Sequence, residues 1–324
     1  MPQLELDAYP DSTADRRKVA EFLETHWKSA EKGSWEQQMC FWWDDNPAAA
    51  VVQERGRWVH AEDRLVGFGG SIPALHAWLG RPLPALYATT LCVDKRFPKA
   101  GALIFLKQRQ LGEQHIIAHT TPNPRLQEAL LKMGALAETR VTRQLLLAGA
   151  ASHLRGRSWW PAFPADKKLV NNPLDVTSLV RPYQRTDRVE KWITPEYLRW
   201  FCFSRMREHH FLGVVDAVGV LSSYVLVTPR RIKGLRAWDV VETFTTNDDL
   251  TELHALIGRL VKEPHLLPGG ALLLTAATFA SDDVWNTVPA LMRRSQEVCH
   301  YFLMPDSLRN APKHTVMAEG DLGL

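Results

Sequence analysis

The residues with the clearest chemical potential lie where a predicted strand passes directly into a helix. The strand ends at Val93 and Asp94, and the chain then reads Arg-Phe-Pro-Lys-Ala-Gly-Ala from Arg96 to Ala102. A glycine at such a junction lets the backbone approach a ligand closely, because it carries no side chain. The free N–H groups at the start of a helix bind phosphate. This loop therefore predicts a site for a phosphate-bearing ligand.

A second strand and helix complete the pattern. An apolar strand is predicted from His115 to Thr121, and a helix follows from Pro124 to Lys132. Over residues 1 to about 148 the chain resembles the GCN5-related N-acetyltransferase (GNAT) acyltransferases. Their acyl-CoA motif is Arg/Gln-x-x-Gly-x-Gly/Ala, and their next helix begins with Asn and ends in Lys-x-Gly-Phe. The residues at the motif positions are Arg96, Gly101, Asn123, Lys132 and Gly134.

The chain departs from the family pattern at several positions. Lys99 replaces the first glycine of the loop, and Pro98 has no N–H group to offer a phosphate. Leu130 stands where the family often has the tyrosine that protonates the departing thiolate, and Ala135 replaces the usual aromatic residue. Lys99 could partly compensate as a phosphate-binding cation, whereas the general acid is unassigned.

The resemblance implies a placement for the cofactor, acetyl-CoA or another acyl-CoA. Its pantetheine arm would lie like an extra strand beside residues 91 to 93 and exchange main-chain hydrogen bonds with them. A backbone N–H there would polarise the thioester carbonyl, as in an oxyanion hole. The cofactor-binding residues expected from this placement are Leu91, Cys92, Val93, Arg96, Lys99, Ala100, Gly101, Ala102 and Asn123.

The amine that accepts the acyl group must lose a proton, so a base with a near-neutral pKa is expected. His119 is one candidate; the alternative is a structural histidine hydrogen-bonded beside the sheet. Glu242 lies on the strand of the second half that corresponds to residues 87–94, and it could act as the base if the two halves share a cleft. The alternative is a solvated or ion-paired glutamate. His115 and His119 are roughly 13 Å apart on a strand, too far for two ligands of one metal, so no metal is expected.

Two further clusters are open to more than one interpretation. Tryptophans at helical spacing near the N-terminus are predicted to be core residues rather than a platform for the acceptor. A basic turn in the second half could hold an anionic acceptor or could be a solvated loop. The tryptophans are Trp35, Trp42 and Trp43, and the basic residues are Arg230, Arg231, Lys233 and Arg236.

The elements that position these residues alternate along the first half. A capping box at Ser12 and Asp15 begins a helix that Gly33 ends, and a second helix runs from Trp35 to Trp43. A hairpin is predicted at 56–60 and 65–73, further strands at 87–94, 115–121 and 138–147, and helices at 100–110 and 124–132. This order predicts an α/β fold with a mixed twisted sheet flanked by helices.

The second half repeats this order. A helix from Pro195, a hairpin over 211–227, a strand over 235–246, a helix over 250–261 and a strand over 271–278 follow in succession. The later helix is predicted to be capped by Asp248 or Asp249. These carboxylates would repel a pyrophosphate, so only the first half is expected to bind the cofactor. The predicted organisation is two tandem GNAT-like domains, 1–150 binding acyl-CoA and 189–324 a degenerate copy, joined by a linker over 151–188.

Composition limits the class of protein further. Of 324 residues, 45% are apolar and 23% are charged, which excludes a disordered, collagen-like or coiled-coil chain. The net charge of +3 is spread over both halves, so no nucleic acid partner is expected. There is no long apolar run and no signal-peptide pattern, so we expect a cytoplasmic protein without membrane contact. The cysteines Cys40, Cys92, Cys202 and Cys299 form no CxxC pair and are expected to be reduced and mostly buried.

Together these features predict an N-acyltransferase that moves an acyl group, expected to be acetyl, from acyl-CoA to a small-molecule amine. The acceptor would be an amino sugar or an amino acid derivative, held between the two halves. Two alternatives stay open. One is an acyltransferase that takes its acyl group from an acyl carrier protein, with which Lys99 is compatible. The other is a non-catalytic acyl-CoA-binding or scaffold protein, which the missing tyrosine allows.

Overall fold

The computed structural model of the protein describes residues 3–27, 30, 33–155, 160–281 and 283–319. Within these ranges, fourteen strands form one mixed sheet flanked by six helices, which confirms the predicted α/β class. The helices are α1 (Thr13–His26), α2 (Trp35–Trp43), α3 (Pro98–Leu111), α4 (Pro124–Lys132), α5 (Pro195–Cys202) and α6 (Thr251–Lys262). None of these helices has the length and the apolar character that crossing a bilayer requires. The strands are β1 (Leu4–Ala8), β2 (Gly56–Ala61), β3 (Arg64–Trp78), β4 (Arg81–Val93), β5 (Ile116–His119), β6 (Leu136–Leu147), β7 (Lys168–Val170), β8 (Ser178–Leu179), β9 (Glu190–Lys191), β10 (His210–Val215), β11 (Val220–Ile232), β12 (Leu235–Thr245), β13 (Leu273–Phe279) and β14 (Met292–Leu303).

The first two helices begin as the sequence predicts. In each, the N-cap serine accepts a hydrogen bond from the backbone three positions later, and the side chain of that residue accepts one from the serine N–H. α2 covers the predicted residues, and Trp35, Trp42 and Trp43 are buried in the core, as predicted. α1 ends at His26 because Trp27 leaves the helical conformation, so the prediction that Gly33 ends it is wrong. Residues 28, 29, 31 and 32 lie outside the described ranges.

The strands of the first half form an antiparallel meander that ends in a parallel pair. β1, β2, β3 and β4 are antiparallel neighbours, and β5 lies parallel to β4. β4 begins six residues before the predicted strand at Tyr87 because Pro82 and Pro84, which weaken a strand pattern, lie within it. β1 is missing from the predicted strands, although its five residues, Leu-Glu-Leu-Asp-Ala, alternate between apolar and polar side chains.

The elements predicted for the second half, from the helix at Pro195 to the strand over 271–278, occur in the predicted order. β10, β11 and β12 form a meander, and β13 returns after α6 parallel to β12, as β5 returns parallel to β4. The prediction that Asp248 or Asp249 caps α6 is wrong, because Leu250 is the N-cap. Asp249 instead accepts a hydrogen bond from the Thr251 N–H at 2.9 Å. The domain limits at 150 and 188 stay a prediction, and residues 156–159 of the predicted linker lie outside the described residues.

The two halves exchange their last strands. β6 pairs with β13 of the second half, and β14 of the second half inserts between β5 and β6. The order β4-β5-β14-β6-β13-β12 therefore joins both halves by continuous backbone hydrogen bonds. The sequence pattern does not predict β14, because residues 292–297 are all exposed and show no alternation of apolar and polar residues.

Candidate functional site

The first half contains a groove between β4 and β5. The two strands are partners only where Ala85–Ala88 lie opposite Ile116–His119. β5 ends there while β4 continues to Val93, so the strands separate. The gap, which we call the β4–β5 groove, has a volume of about 250 Å³. It is lined by Trp27, Ala88, Thr89, Thr90, Leu91, Gln108, His119, Thr120, Thr121, Pro122, Asn123 and Leu126.

A β-bulge shapes the β4 wall of this groove. The register with β3 shifts between the pairs Phe68–Cys92 and Gly70–Thr89, so β4 has one extra residue. Thr90 lies at φ +48°, in the left-handed region that a β-branched residue rarely adopts. Gly70 makes room for it, because a Cβ there would stand 2.6 Å from Thr90 Oγ1. Bulges and strained backbone of this kind concentrate at functional sites.

Three buried side chains of the groove carry polar atoms without a hydrogen-bond partner among the described residues. The atoms are Thr90 Oγ1, Gln108 Oε1 and His119 Nε2, on residues that are 3%, 4% and 4% exposed. An unpartnered buried polar atom costs about 1 to 3 kcal/mol, and folded proteins leave few of them. The groove is therefore suited to an enclosed ligand that brings its own donors and acceptors.

His119 faces the α3 side of the sheet. Ala118 packs in the core under α1 and α2, and alternation along β5 turns His119 to the opposite face. There its ring lies edge-to-face with Phe105 of α3, with centroids 6.3 Å apart. Burial lowers the pKa of His119 to about 4, so the imidazole is neutral at pH 7. It can hydrogen-bond a ligand but contributes no charge.

A buried carboxylate holds the loop between β4 and α3. Asp94 Oδ2 lies 2.6 Å from Arg96 Nη2 and 2.9 Å from Arg64 Nη2, and Oδ1 accepts the Arg96 backbone N–H. The hydrogen bonds from Arg96 keep the pKa of Asp94 well below its usual value. The Arg96 side chain is 61% exposed, so its guanidinium is fixed in direction but open to a ligand.

The start of α3 has the features of an anion site. Phe97 is the N-cap, and no side chain caps the helix. Gly101 allows α3 to pack closely on β4, since a Cβ there would stand 3.2 Å from a valine methyl group. Lys99 and Ala102 are exposed. Ala100 is buried, and its N–H donates to the Phe97 carbonyl at 2.9 Å. This N–H is therefore already hydrogen-bonded within the protein.

The other residues predicted to bind the cofactor differ in position. Leu91 lines the groove, and Val93 is half-buried. Cys92 faces the core under α1 and α2, where burial raises its pKa to about 11, so the thiol stays protonated. Asn123 lines the groove and also caps α4, because its Oδ1 accepts the Leu126 N–H at 3.0 Å.

The equivalent gap in the second half is filled by the chain itself. β12 pairs with β13 over Ala237–Val240 and then continues alone on that side. Ala318 donates its N–H to the Val241 carbonyl at 3.0 Å, and the buried Trp285 donates from Nε1 to Thr243 Oγ1 at 3.4 Å. The β12 side of the gap is thus occupied internally, whereas no described strand pairs with β4 beyond Ala88 on the corresponding side.

Glu242 lies in a buried ion pair. It is 3% exposed, and its Oε2 is 2.6 Å from Lys191 Nζ and 3.1 Å from Tyr197 Oη. Tyr224 donates a hydrogen bond to Oε1. Both carboxylate oxygens therefore have internal partners, and of the two interpretations of Glu242 the structure shows the ion-paired one.

A second cavity, which we call the junction cavity, lies beside this ion pair and has a volume of about 250 Å³. Tyr87 and Ala74 on its wall belong to the core under α1 and α2, so it lies on the face opposite His119. The structure therefore does not bring His119 and Glu242 together. The sequence predicts an acceptor site between the two halves but does not identify the residues of this cavity, because its walls come from distant segments. They are Asn46, Pro47, Ala48, Val51, Pro73, Ala74, Leu75 and Tyr87 of the first half and Lys191, Trp192, Thr194, Glu196, Tyr197, Trp200, Phe201 and Ala318 of the second.

The cysteines are free thiols. Cys92 is buried, Cys202 and Cys299 are half-buried, and Cys40 is exposed, so the prediction that most are buried is wrong. Cys40 lies on the solvent side of α2, where its thiol donates to Asp44. In the described part of the chain, no three His, Cys, Asp or Glu side chains are grouped as a metal site would need.

Comparison with known proteins places the fold. No protein-family model and no curated protein matches the chain. A GCN5-related N-acetyltransferase from Anabaena variabilis is 11% identical with a TM-score of 0.61 over 95% of this chain and 74% of that one. A protein of unknown function from Enterococcus faecalis, described as a probable N-acyltransferase, is 10% identical with a TM-score of 0.60 over 93% and 72%. A GCN5-related N-acetyltransferase from Kribbella flavida is 14% identical with a TM-score of 0.55 over 92% and 71%.

These similarities define the class of fold. The chain is an α/β protein with the GNAT fold, and similarity to each of these structures extends over more than nine-tenths of it. The resemblance predicted from the loop at Arg96–Ala102 and the helix after Asn123 is therefore confirmed for the fold.

Proposed function

We propose that the protein is an acyltransferase that moves an acyl group from acyl-CoA to the amine of a small molecule. The observation that carries the proposal is the set of unpartnered polar atoms on Thr90, Gln108 and His119 in the β4–β5 groove. The pantetheine arm of CoA is extended and contains amide groups with both donors and acceptors. Bound beside β4, it would satisfy these atoms and pair with the strand edge that β5 leaves open.

The bulge and the start of α3 support a position for each end of the cofactor. A backbone N–H at the bulge around Thr90 would donate to the thioester carbonyl and stabilise the oxyanion that forms during transfer. The phosphates would lie at the uncapped start of α3, where the helix dipole, Arg96 and Lys99 favour negative charge. Acetyl as the acyl group rests on the sequence resemblance alone.

We place the acceptor amine in the junction cavity. Tyr87 on its wall is three residues from Thr90, roughly 10 Å along β4. The aromatic lining, with Trp192 and Trp200, suits an amine with an apolar body, and Glu196 on the same wall would attract an ammonium group. Both carboxylate oxygens of Glu242 already have partners within the protein, and His119 lies on the opposite face of the sheet. The proton that the acceptor amine loses would therefore pass to water in the cavity.

The proposal predicts one acyl-CoA per chain, because the gap in the second half is filled and two aspartates stand at the start of α6. Isothermal titration calorimetry with acetyl-CoA should give a single site. Incubation with acetyl-CoA and a mixture of amines should release free thiol. Two sites per chain would contradict the filled gap, and binding without amine-dependent thiol release would make the protein a binding module rather than an enzyme.

Gly101→Glu is expected to weaken acetyl-CoA binding at least about tenfold, because it adds bulk and negative charge where the phosphates would lie. Gln110→Glu is the matched control, since it adds the same charge at the far, exposed end of α3. The affinity of Gln110→Glu for acetyl-CoA should stay within about twofold of the wild type, because helix-dipole effects fall off within one turn. Equal affinities of the two folded variants in calorimetry would place the phosphates elsewhere.

A further inference from the structure

The hairpin between β11 and β12 places two arginines face to face. Arg231 and Arg236 are direct partners in the antiparallel register, and both side chains are exposed. Side chains at directly opposite positions share one face of the sheet, and like charges there repel. Arg230, on the other face, is paired with Asp239 at 3.1 Å. In the described structure, Arg231 and Arg236 have no carboxylate partner.

Trp238 continues the same face two residues beyond Arg236. The residue is 3% exposed, and its Nε1–H is buried without a hydrogen-bond partner among the described residues. An indole N–H can only donate, so an acceptor is what this position lacks. A buried donor of this kind is costly to leave unpaired. The unpaired Trp238 N–H is an observation independent of the arginine pair. Both favour a ligand that is an anion and a hydrogen-bond acceptor.

A cavity of about 360 Å³ brings these groups together. Arg236 is held in place by a hydrogen bond from Nη1 to the Gly269 carbonyl at 2.6 Å. The one carboxylate on its wall, Glu208, is 2.9 Å from His210 Nε2. We call it the hairpin cavity, and its walls are Glu208, Pro229, Arg230, Arg231, Arg236, Ala237, Trp238, Pro268, Gly269 and Gly270.

We propose that the hairpin cavity binds a phosphate group, with the guanidinium groups of Arg231 and Arg236 and the Trp238 N–H as its donors. A dianion between the two arginines removes their repulsion and supplies the acceptor that the indole lacks. The cavity holds roughly twelve water volumes, more than a bare phosphate fills, so a small phosphorylated molecule also fits. The site is in the second half, apart from the β4–β5 groove, and does not depend on the proposed function.

The test uses the full chain labelled with ¹⁵N in its twelve tryptophans. The Trp238 Nε1–H resonance is assigned by its loss in Trp238→Phe. Inorganic phosphate, titrated at constant ionic strength against chloride, should shift this resonance in a saturable way. Arg231→Gln should weaken the affinity at least about tenfold. Lys233→Gln removes an equal charge from the turn of the same hairpin and should leave the phosphate affinity within about twofold of the wild type, because Lys233 is exposed and is not among the residues that line the cavity.

A second titration with ribose 5-phosphate distinguishes the two sources of phosphate. Tighter binding than inorganic phosphate would support a phosphorylated molecule, and equal binding would support the free ion. The absence of a saturable shift with either probe would overturn the proposal. Equal weakening by Lys233→Gln and Arg231→Gln would overturn it too, because only diffuse charge would then be involved. Arg231 is exposed, and within the described ranges its side chain hydrogen-bonds only the Gly234 carbonyl, so Arg231→Gln tests the site even if Trp238→Phe fails to fold.

Discussion

Lys191→Met is expected to lower the free energy of unfolding by about 3 to 5 kcal/mol, because it leaves Glu242 buried without its counter-ion. Lys191 Nζ lies 2.6 Å from Glu242 Oε2, and the two side chains are 7% and 2% exposed. Methionine is flexible and of similar length, so packing around it should change little. Urea denaturation followed by circular dichroism measures the loss.

Two companion variants separate charge from packing in this prediction. Adding Glu242→Gln to Lys191→Met removes the unpaired charge. The amide oxygen can still accept from one of the two tyrosines, and the amide NH2 can donate to the hydroxyl oxygen of the other, so most of the stability should return. Lys132→Met breaks an exposed ion pair with Glu128 and should cost less than about 1 kcal/mol. If Lys191→Met costs no more than Lys132→Met, the buried pair does not stabilise the fold as inferred.

Features with local causes can be predicted from the sequence almost residue by residue. α2 and α4 have the predicted limits, 35–43 and 124–132, because a capping side chain and a following turn act over a few residues. The junction at Gly101, where a strand passes into an uncapped helix, is local in the same sense. The fold and the strand–loop–helix junction at Arg96–Ala102 could therefore be inferred from short segments of chain.

Features that depend on distant partners could not be predicted. Lys191 lies 51 residues from Glu242, and nothing in the sequence around Glu242 indicates that it is neutralised. Thr90 belongs to a bulge that exists only because Gly70 on the neighbouring strand leaves room for its side chain. Ala118 and His119 lie on opposite faces of β5, and the sequence does not show which face borders the groove. The packing of helices on the two faces decides this.

The two halves show how one fold can keep a gap open or close it. In the second half, Ala318 and Trp285 donate hydrogen bonds to β12, so its side of the gap is occupied. In the first half, no strand of the described chain pairs with β4 beyond Ala88 on the corresponding side, and polar atoms of Thr90 and Gln108 have no hydrogen-bond partner among the described residues. Because an extended ligand binds a strand edge through main-chain hydrogen bonds, an open edge is the condition for cofactor binding.

Acidification is expected to destabilise the protein through two buried imidazoles. Burial lowers the pKa of His119 to about 4 and that of His300 to about 3, from a usual value near 6.5. Both imidazoles are neutral in the folded protein at pH 7. As the pH falls, they are protonated in the unfolded chain before they are protonated in the folded chain. Their contribution to stability is therefore complete above about pH 6.5 and is lost as the pH falls towards the folded pKa values.

Between pH 6.5 and 4 this loss amounts to roughly 3 kcal/mol for each imidazole, at about 1.4 kcal/mol per pH unit. His119→Gln and His300→Gln remove one titrating group each, so each variant should lose less stability than the wild type over this interval. Urea denaturation at pH 7, 5.5 and 4.5 gives the comparison, and taking differences from the wild type cancels the contribution of the carboxylates. A wild type and a His119→Gln variant with the same slope would mean that His119 takes up its proton over the same pH range in the folded and the unfolded chain, and a pKa lowered by burial would have to be abandoned.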